Sequence, residues 1–209
     1  MARMNQKSRI SLVGAVVAVL ALAGCGSADE PEAPPSAPIL STSGPTSSPQ
    51  PQWPSREPGA DLPDAASTDV DDTDPEQVAL EAIRIIHTRD TTVEPRSGDS
   101  FARAADLMTG KLRDALIVDS SSARPSMQWS EWLERDATIA AEAHIMVEEH
   151  PEDEPDRWRR AVEVDEYVTA GNGSKIGQFR VVHYLDVRKV DGVWRVDDIQ
   201  FGERLPVQR

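Results

Sequence analysis

Cysteine is nearly absent from this chain: Cys25 stands alone among 209 residues, so no disulfide can form within it. Aromatic residues are scarce at 5%, and apolar residues reach only 39%. That is less than a chain packed throughout requires, so part of the sequence builds no core. Bases are outnumbered, 22 Lys+Arg against 36 Asp+Glu, for a formal net charge of −14. An acidic surface repels phosphate backbones and no run of five bases offsets it, which excludes nucleic acid as a partner. Long hydrophobic runs are missing too. The longest apolar stretch, Ile10 to Ala23, is too short for a membrane-spanning helix of about 20 residues. Several chemistries are absent with their motifs. Gly110-Lys111 lacks the flanking residues of a phosphate loop, no Gly-x-Ser-x-Gly occurs, and no two histidines stand at metal-ligand spacing. No cofactor and no metal site is expected.

The N-terminus carries the strongest signal. Arg3, Lys7 and Arg9 precede the apolar stretch, which ends at Leu22-Ala23-Gly24-Cys25. This resembles the lipobox of bacterial lipoprotein signal peptides at all four positions. The resemblance implies a signal peptide over residues 1–24, cleavage before Cys25, and a diacylglycerol on the Cys25 sulfur with a further acyl chain such as palmitate. It also implies a place on the extracytoplasmic face of the cell membrane, the lipid being the membrane partner. With its thiol so used, Cys25 is not a nucleophile. Losing three bases with the signal peptide takes the charge from −14 to −17, so the acyl chains and not electrostatics must hold the membrane.

Eleven of the 16 prolines fall between Pro31 and Pro75, among Ser, Ala, Asp and Glu. Such a segment buries too little apolar surface to offset its chain entropy. Residues 25–73 therefore read as a lipidated N-terminus and disordered linker, with Trp53 the one residue suited to docking. As a coil of roughly 48 residues it spans about 40 Å, the length of a stalk. The run Asp69 to Asp74 alternates carboxylates as a calcium loop does, but Asp74 stands where glycine is required and Leu80 where a bidentate glutamate is required. Asp74-Pro75-Glu76-Gln77 reads instead as a helix start, so the folded domain is expected over residues 74–209.

Apolar spacing predicts a helix from Pro75 to His87, a second from Ser100 to Ile117 and a short third after Pro125 on which Trp129, Trp132 and Leu133 share a face. After Asp136 the period changes from 3.6 to 2. Strands follow at about 139–147, 158–170, 178–190 and 193–201, with turns at Gly171-Asn172-Gly173-Ser174 and Asp191-Gly192. Helices followed by four long antiparallel strands define an α+β class, with N-terminal helices packed on one face of a curved four-stranded sheet. Element order, and the ending Val187 to Ile199 with its Trp194-Arg195-Val196 strand, resemble the nuclear transport factor 2-like, cystatin-like α+β cone superfamily. The resemblance implies a cone with a pocket at its mouth. Its members include isomerases, dehydratases, association modules and envelope-complex subunits, so the site must decide function.

His144, Tyr167, His183 and Tyr184 are the candidate pocket residues. Alternation puts His183 on the face of Phe179, Val181, Leu185 and Val187, and Tyr184 on the other, so no acid/base pair converges. No catalytic residue is assigned and the chain is not expected to be an enzyme. Trp129 and Trp132 are the candidate interaction surface. The expected function is a lipid-anchored binding or assembly domain, a subunit of or accessory to a cell-envelope complex with an envelope protein as partner. The alternative is a pocket that binds or isomerises a small apolar ligand. An open cavity with a polar group inside marks the second, and a filled core with an exposed apolar surface marks the first.

Overall fold

The computed structural model describes residues 52–122 and 124–208. The expected signal peptide, the expected lipidation site Cys25 and the expected linker up to residue 51 lie outside the described residues. Helix α1, Pro75–His87, starts as the sequence predicts: Asp74 accepts from the Glu76 amide at 2.9 Å and Pro75 opens the first turn. Its apolar stripe of Val78, Ala79, Ala82, Ile83, Ile85 and Ile86 is completely buried. The stripe lies across a curled antiparallel sheet whose long strands are β2 (Thr138–Ile145), β3 (Arg157–Thr169), β4 (Lys175–Val190) and β5 (Val193–Gln200). Two short strands bring the described sheet to six: β1, Arg89–Asp90, pairs with β2, and β6, Leu205–Pro206, pairs with β4. The expected four-stranded sheet is corrected on this point. Strands of two residues carry no periodicity for sequence to reveal.

The β4–β5 hairpin turns on Asp191 and Gly192, both at positive φ, as its Asp-Gly dipeptide predicts. The β3–β4 turn uses Asn172, whose side-chain oxygen accepts from the Ser174 amide, and Gly173 at φ +82°. Inward side chains of β3, β4 and β5, including Trp158, Val162, Val164, Leu185, Val187, Trp194, Val196 and Ile199, join the α1 stripe in the main core. A smaller cluster forms beside it from Trp129, Trp132, Ala137, Ile139 and Val168.

Between Ser100 and Ser122 the chain breaks where one helix is expected. Helix α2, Ser100–Arg103, passes into a 3-10 turn at Ala105–Leu107, Met108 is extended, and α3 runs from Gly110 to Ser122. The cause is tertiary: Met108 bridges to Val196, and the Thr109 amide donates to the Val196 carbonyl at 2.9 Å, so the backbone leaves the helix to pair with β5. Helix α4, Met127–Glu134, is capped by Ser126, which accepts from the Trp129 amide.

Residues 52–73 correct the expected linker. They lie along the domain as a strap: the Trp53 indole N–H donates to Thr169 Oγ1 at 3.2 Å, with the ring edge-on to Tyr167 and beneath Lys175. The Gly59 amide donates to Asp90, Thr138 donates to the Arg56 carbonyl, and the Trp194 amide donates to the Asp72 carbonyl. Ala65 and Val70 pack on the core. Few apolar residues suffice because the strap satisfies its backbone on groups the sheet leaves exposed. No helix among the described residues is long and apolar enough to cross a membrane.

Candidate functional site

Three elements converge at one end of the sheet. His87 ends α1 and continues the line of Ala79 and Ile83 at four-residue steps; Glu166 takes an inward position on β3 between Val164 and Val168; His183 takes the equivalent face of β4. All three are buried. After β5 the chain turns back through Phe201 to Arg204. Gly202 is required there, because a Cβ would collide with the Val182 carbonyl oxygen. That close passage lays Phe201 against His183, with ring centroids 5.3 Å apart, and brings Arg204 over Glu166.

The hydrogen bonds form one directed chain. Arg204 grips both oxygens of Glu166, with Nη2 at 2.9 Å from Oε1 and Nε on Oε2, while its Nη1 donates to Gln128. His87 Nδ1 donates to Glu166 Oε1 at 2.7 Å. Neutral His87 then accepts at Nε2, which lies 2.8 Å from His183 Nε2, so His183 donates through that atom. Its Nδ1 accepts from the Gly202 amide at 3.4 Å. Each atom has a complementary role only if both imidazoles are neutral and Glu166 is ionised. Burial would raise the Glu166 pKa, but the His87 N–H and the Arg204 guanidinium outweigh it and hold the carboxyl well below the usual range. Burial lowers His87 despite its bond to Glu166, and lowers His183 to about 3.

His87, His183 and Arg204 of this cluster line a cavity of about 540 Å³; Glu166, which binds His87 and Arg204, is not in the lining. Phe101 from α2, Leu116 from α3, Trp129 from α4, Val181 and Phe201 supply apolar walls; Arg89, Arg124, Arg204 and Asp119 supply the charged lining. The volume suits a small organic molecule.

Of the four candidate pocket residues, His183 alone lines this cavity, and of the two candidate surface tryptophans, Trp129 does. His144 is exposed on the outer face of β2, and Tyr167 donates to Glu142 on that same face. Tyr184, 52% exposed, lines an outer groove beside Arg159, Arg160 and Asp186. These three do not meet His183, because strand alternation sends them away from it. Trp129 and Trp132 are 2% and 1% exposed, so the candidate interaction surface is corrected to core. The Trp129 indole donates to the Pro95 carbonyl, and Trp132 packs on Phe179 under Arg204. Sequence reasoning missed His87, Arg89, Glu166 and Arg204. The available signal was Glu166, a carboxylate inside an alternation of inward valines; Arg204 follows the last long strand and carried none.

Fold and site together define an α+β domain with a curled antiparallel sheet and a cavity floored by ionisable groups. No family model and no curated protein matches the chain. Among solved structures, an IcmL-like type IV secretion system protein from Legionella pneumophila shows a weak similarity, with a TM-score of 0.42 at 12% identity over 63% of this chain and 90% of that one.

Proposed function

We propose that the chain is a lipid-anchored, extracytoplasmic binding domain of the bacterial cell envelope, and that it works through the cavity over Glu166, His87 and His183. The observation that carries this reading is the cavity itself, about 540 Å³, lined by His87 and His183, whose imidazoles are hydrogen-bonded to each other and, through His87, to Glu166. A domain serving only as a spacer has no use for a buried carboxylate and two buried imidazoles, each costly to desolvate. The resemblance of Leu22 to Cys25 to a lipobox supports the anchor, and the resemblance of the element order to the nuclear transport factor 2-like cone supports a pocket. Binding, not turnover, is the reading preferred. The imidazoles are engaged with one another and with Glu166, leaving no strong base aimed into the cavity.

The test has two arms. Replacing Cys25 with Ser should move the protein out of the membrane fraction or leave the uncleaved precursor, and the wild type should incorporate labelled fatty acid. Filling the cavity by Val181→Trp should abolish binding of small apolar probes while the rest of the fold melts cooperatively.

A second reading, assembly with an envelope protein, is favoured by the outer face of the sheet. There Met146, Val182, Tyr184, Leu205, Pro206 and Val207 line an apolar groove. Cross-linking from a photoreactive residue at Tyr184 in intact cells separates this reading from the first, since it requires a discrete adduct that the cavity variant does not alter.

A further inference from the structure

The cavity holds a charge that the hydrogen-bond chain does not use. Arg89, on β1, exposes only 7% of its surface. Its Nε donates to the Ile86 carbonyl at 2.7 Å, and its guanidinium lies over the Trp129 ring, 5.5 Å from the centroid. The nearby carboxylates are spent elsewhere: Glu166 on His87 and Arg204, Glu94 on Arg103 at 2.7 Å. Among the described residues no carboxylate comes within ion-pair distance of Arg89, and its two Nη nitrogens have no acceptor. Neither nitrogen is sealed from the cavity. Burial draws its pKa down to about 10, as expected of a cation desolvated beyond what its surroundings repay. A purely structural arginine, closing the end of α1 and stacking on Trp129, explains Nε and the ring face. It does not explain a bare Nη edge kept at the floor of a cavity, where an unpaired charge is costly.

The lining around that edge runs against the charge of the whole molecule. In a chain of net charge −14, Arg89, Arg124 and Arg204 face the cavity against Asp119. The walls beyond the guanidinium are apolar: Phe101, Leu116 and Phe201. A guanidinium fork matches a carboxylate with two parallel N–H···O bonds, and one free fork neutralises one unit of charge.

We infer that the cavity binds a small organic carboxylate, its head on the Nη edge of Arg89 and its apolar body against Phe101, Leu116 and Phe201. The inference rests on the cavity being the binding site. It narrows the ligand from any small apolar molecule to an amphiphilic anion, and gives Arg89 the role of recognising the head.

Decanoate and decanol, equal in chain length and differing in charge, are suitable probes. The mature chain with Cys25→Ser, free of its own acyl groups, is titrated with each at pH 7.5 by calorimetry. Decanoate should bind at least tenfold more tightly than decanol. Arg89→Met should weaken decanoate by about tenfold or more, the worth of a charge-assisted bond, and leave decanol unchanged. Arg89→Lys, which keeps the charge but loses the fork, should retain part of the preference and decides the matter if Arg89→Met does not fold. Equal affinities for the two probes, or a preference unaffected by either Arg89 variant, would overturn the carboxylate inference while leaving the cavity as the binding site. Binding of neither probe, with Val181→Trp equally without effect, would overturn the cavity reading as well.

Discussion

His87, Glu166 and His183 give the folding stability of the domain a pH dependence of defined sign. Both imidazoles titrate in the fold below the free value of about 6.5, His183 at about 3, because burial disfavours the charged ring. Between pH 6.5 and 3 the unfolded chain therefore holds protons that the folded chain refuses. Stability is complete above pH 6.5 and falls as the pH drops, by at most about 1.4 kcal/mol per pH unit for each ring. Glu166 adds to the loss at the acid end. Its folded pKa is depressed, so its contribution is present above the ordinary carboxylate range and disappears below it. Urea unfolding at pH 7.5, 6.5, 5.5 and 4.5 should show stability declining monotonically from pH 6.5 downward. In a His183→Gln chain the decline should be about half as steep between pH 6.5 and 5.5. A profile flat down to pH 5 would mean that the rings accept protons while folded, and the directed hydrogen-bond chain would be wrong.

Helix α4 is held by its two tryptophans, and these are elements of the core rather than a surface. Trp129 and Trp132 lie three residues apart on one face, their rings 6.0 Å apart, and fill the space between Ile139, Val168 and Phe179. Replacing either by Ala should cost about 3–5 kcal/mol, measured by urea unfolding of each variant. The two effects should differ in kind. Trp129 also walls the cavity and underlies Arg89, so its loss should weaken binding in the cavity, whereas Trp132, outside the lining, should affect stability alone. The paired tryptophans at helical spacing were visible in the sequence. Their destination was not, since an apolar helix face reads alike whether it meets the domain's own sheet or another protein.

At the scale of the whole molecule, the strap sets where the folded unit begins. Trp53 binds Thr169, Tyr167 and Lys175 at the β3–β4 end, and Asp72 binds the β5 backbone at the other. Limited proteolysis should therefore stop near residue 52, leaving the strap protected. In a Trp53→Ala chain, which loses a hydrogen bond and two ring contacts worth about 1–3 kcal/mol in total, cleavage should extend into residues 54–70 while the sheet stays intact. Mass spectrometry of the resistant fragments distinguishes the outcomes; cleavage near Asp74 in the wild type would restore the disordered linker. The elements with local causes were legible in the sequence. The Asp74 cap, the Asp-Gly hairpin, the alternation of four long strands and the side of β4 on which His183 lies all follow from steric preference and period, which act over a few residues. What only the tertiary structure decided has a different physical origin. The break at Met108, the two-residue strands, the docking of a proline-rich strap and the meeting of His87, Arg89, Glu166, His183 and Arg204 depend on partners tens of residues away. A buried ion or an unpaired backbone group is tolerable only where the fold brings its complement within about 3 Å, and no local pattern carries that distance.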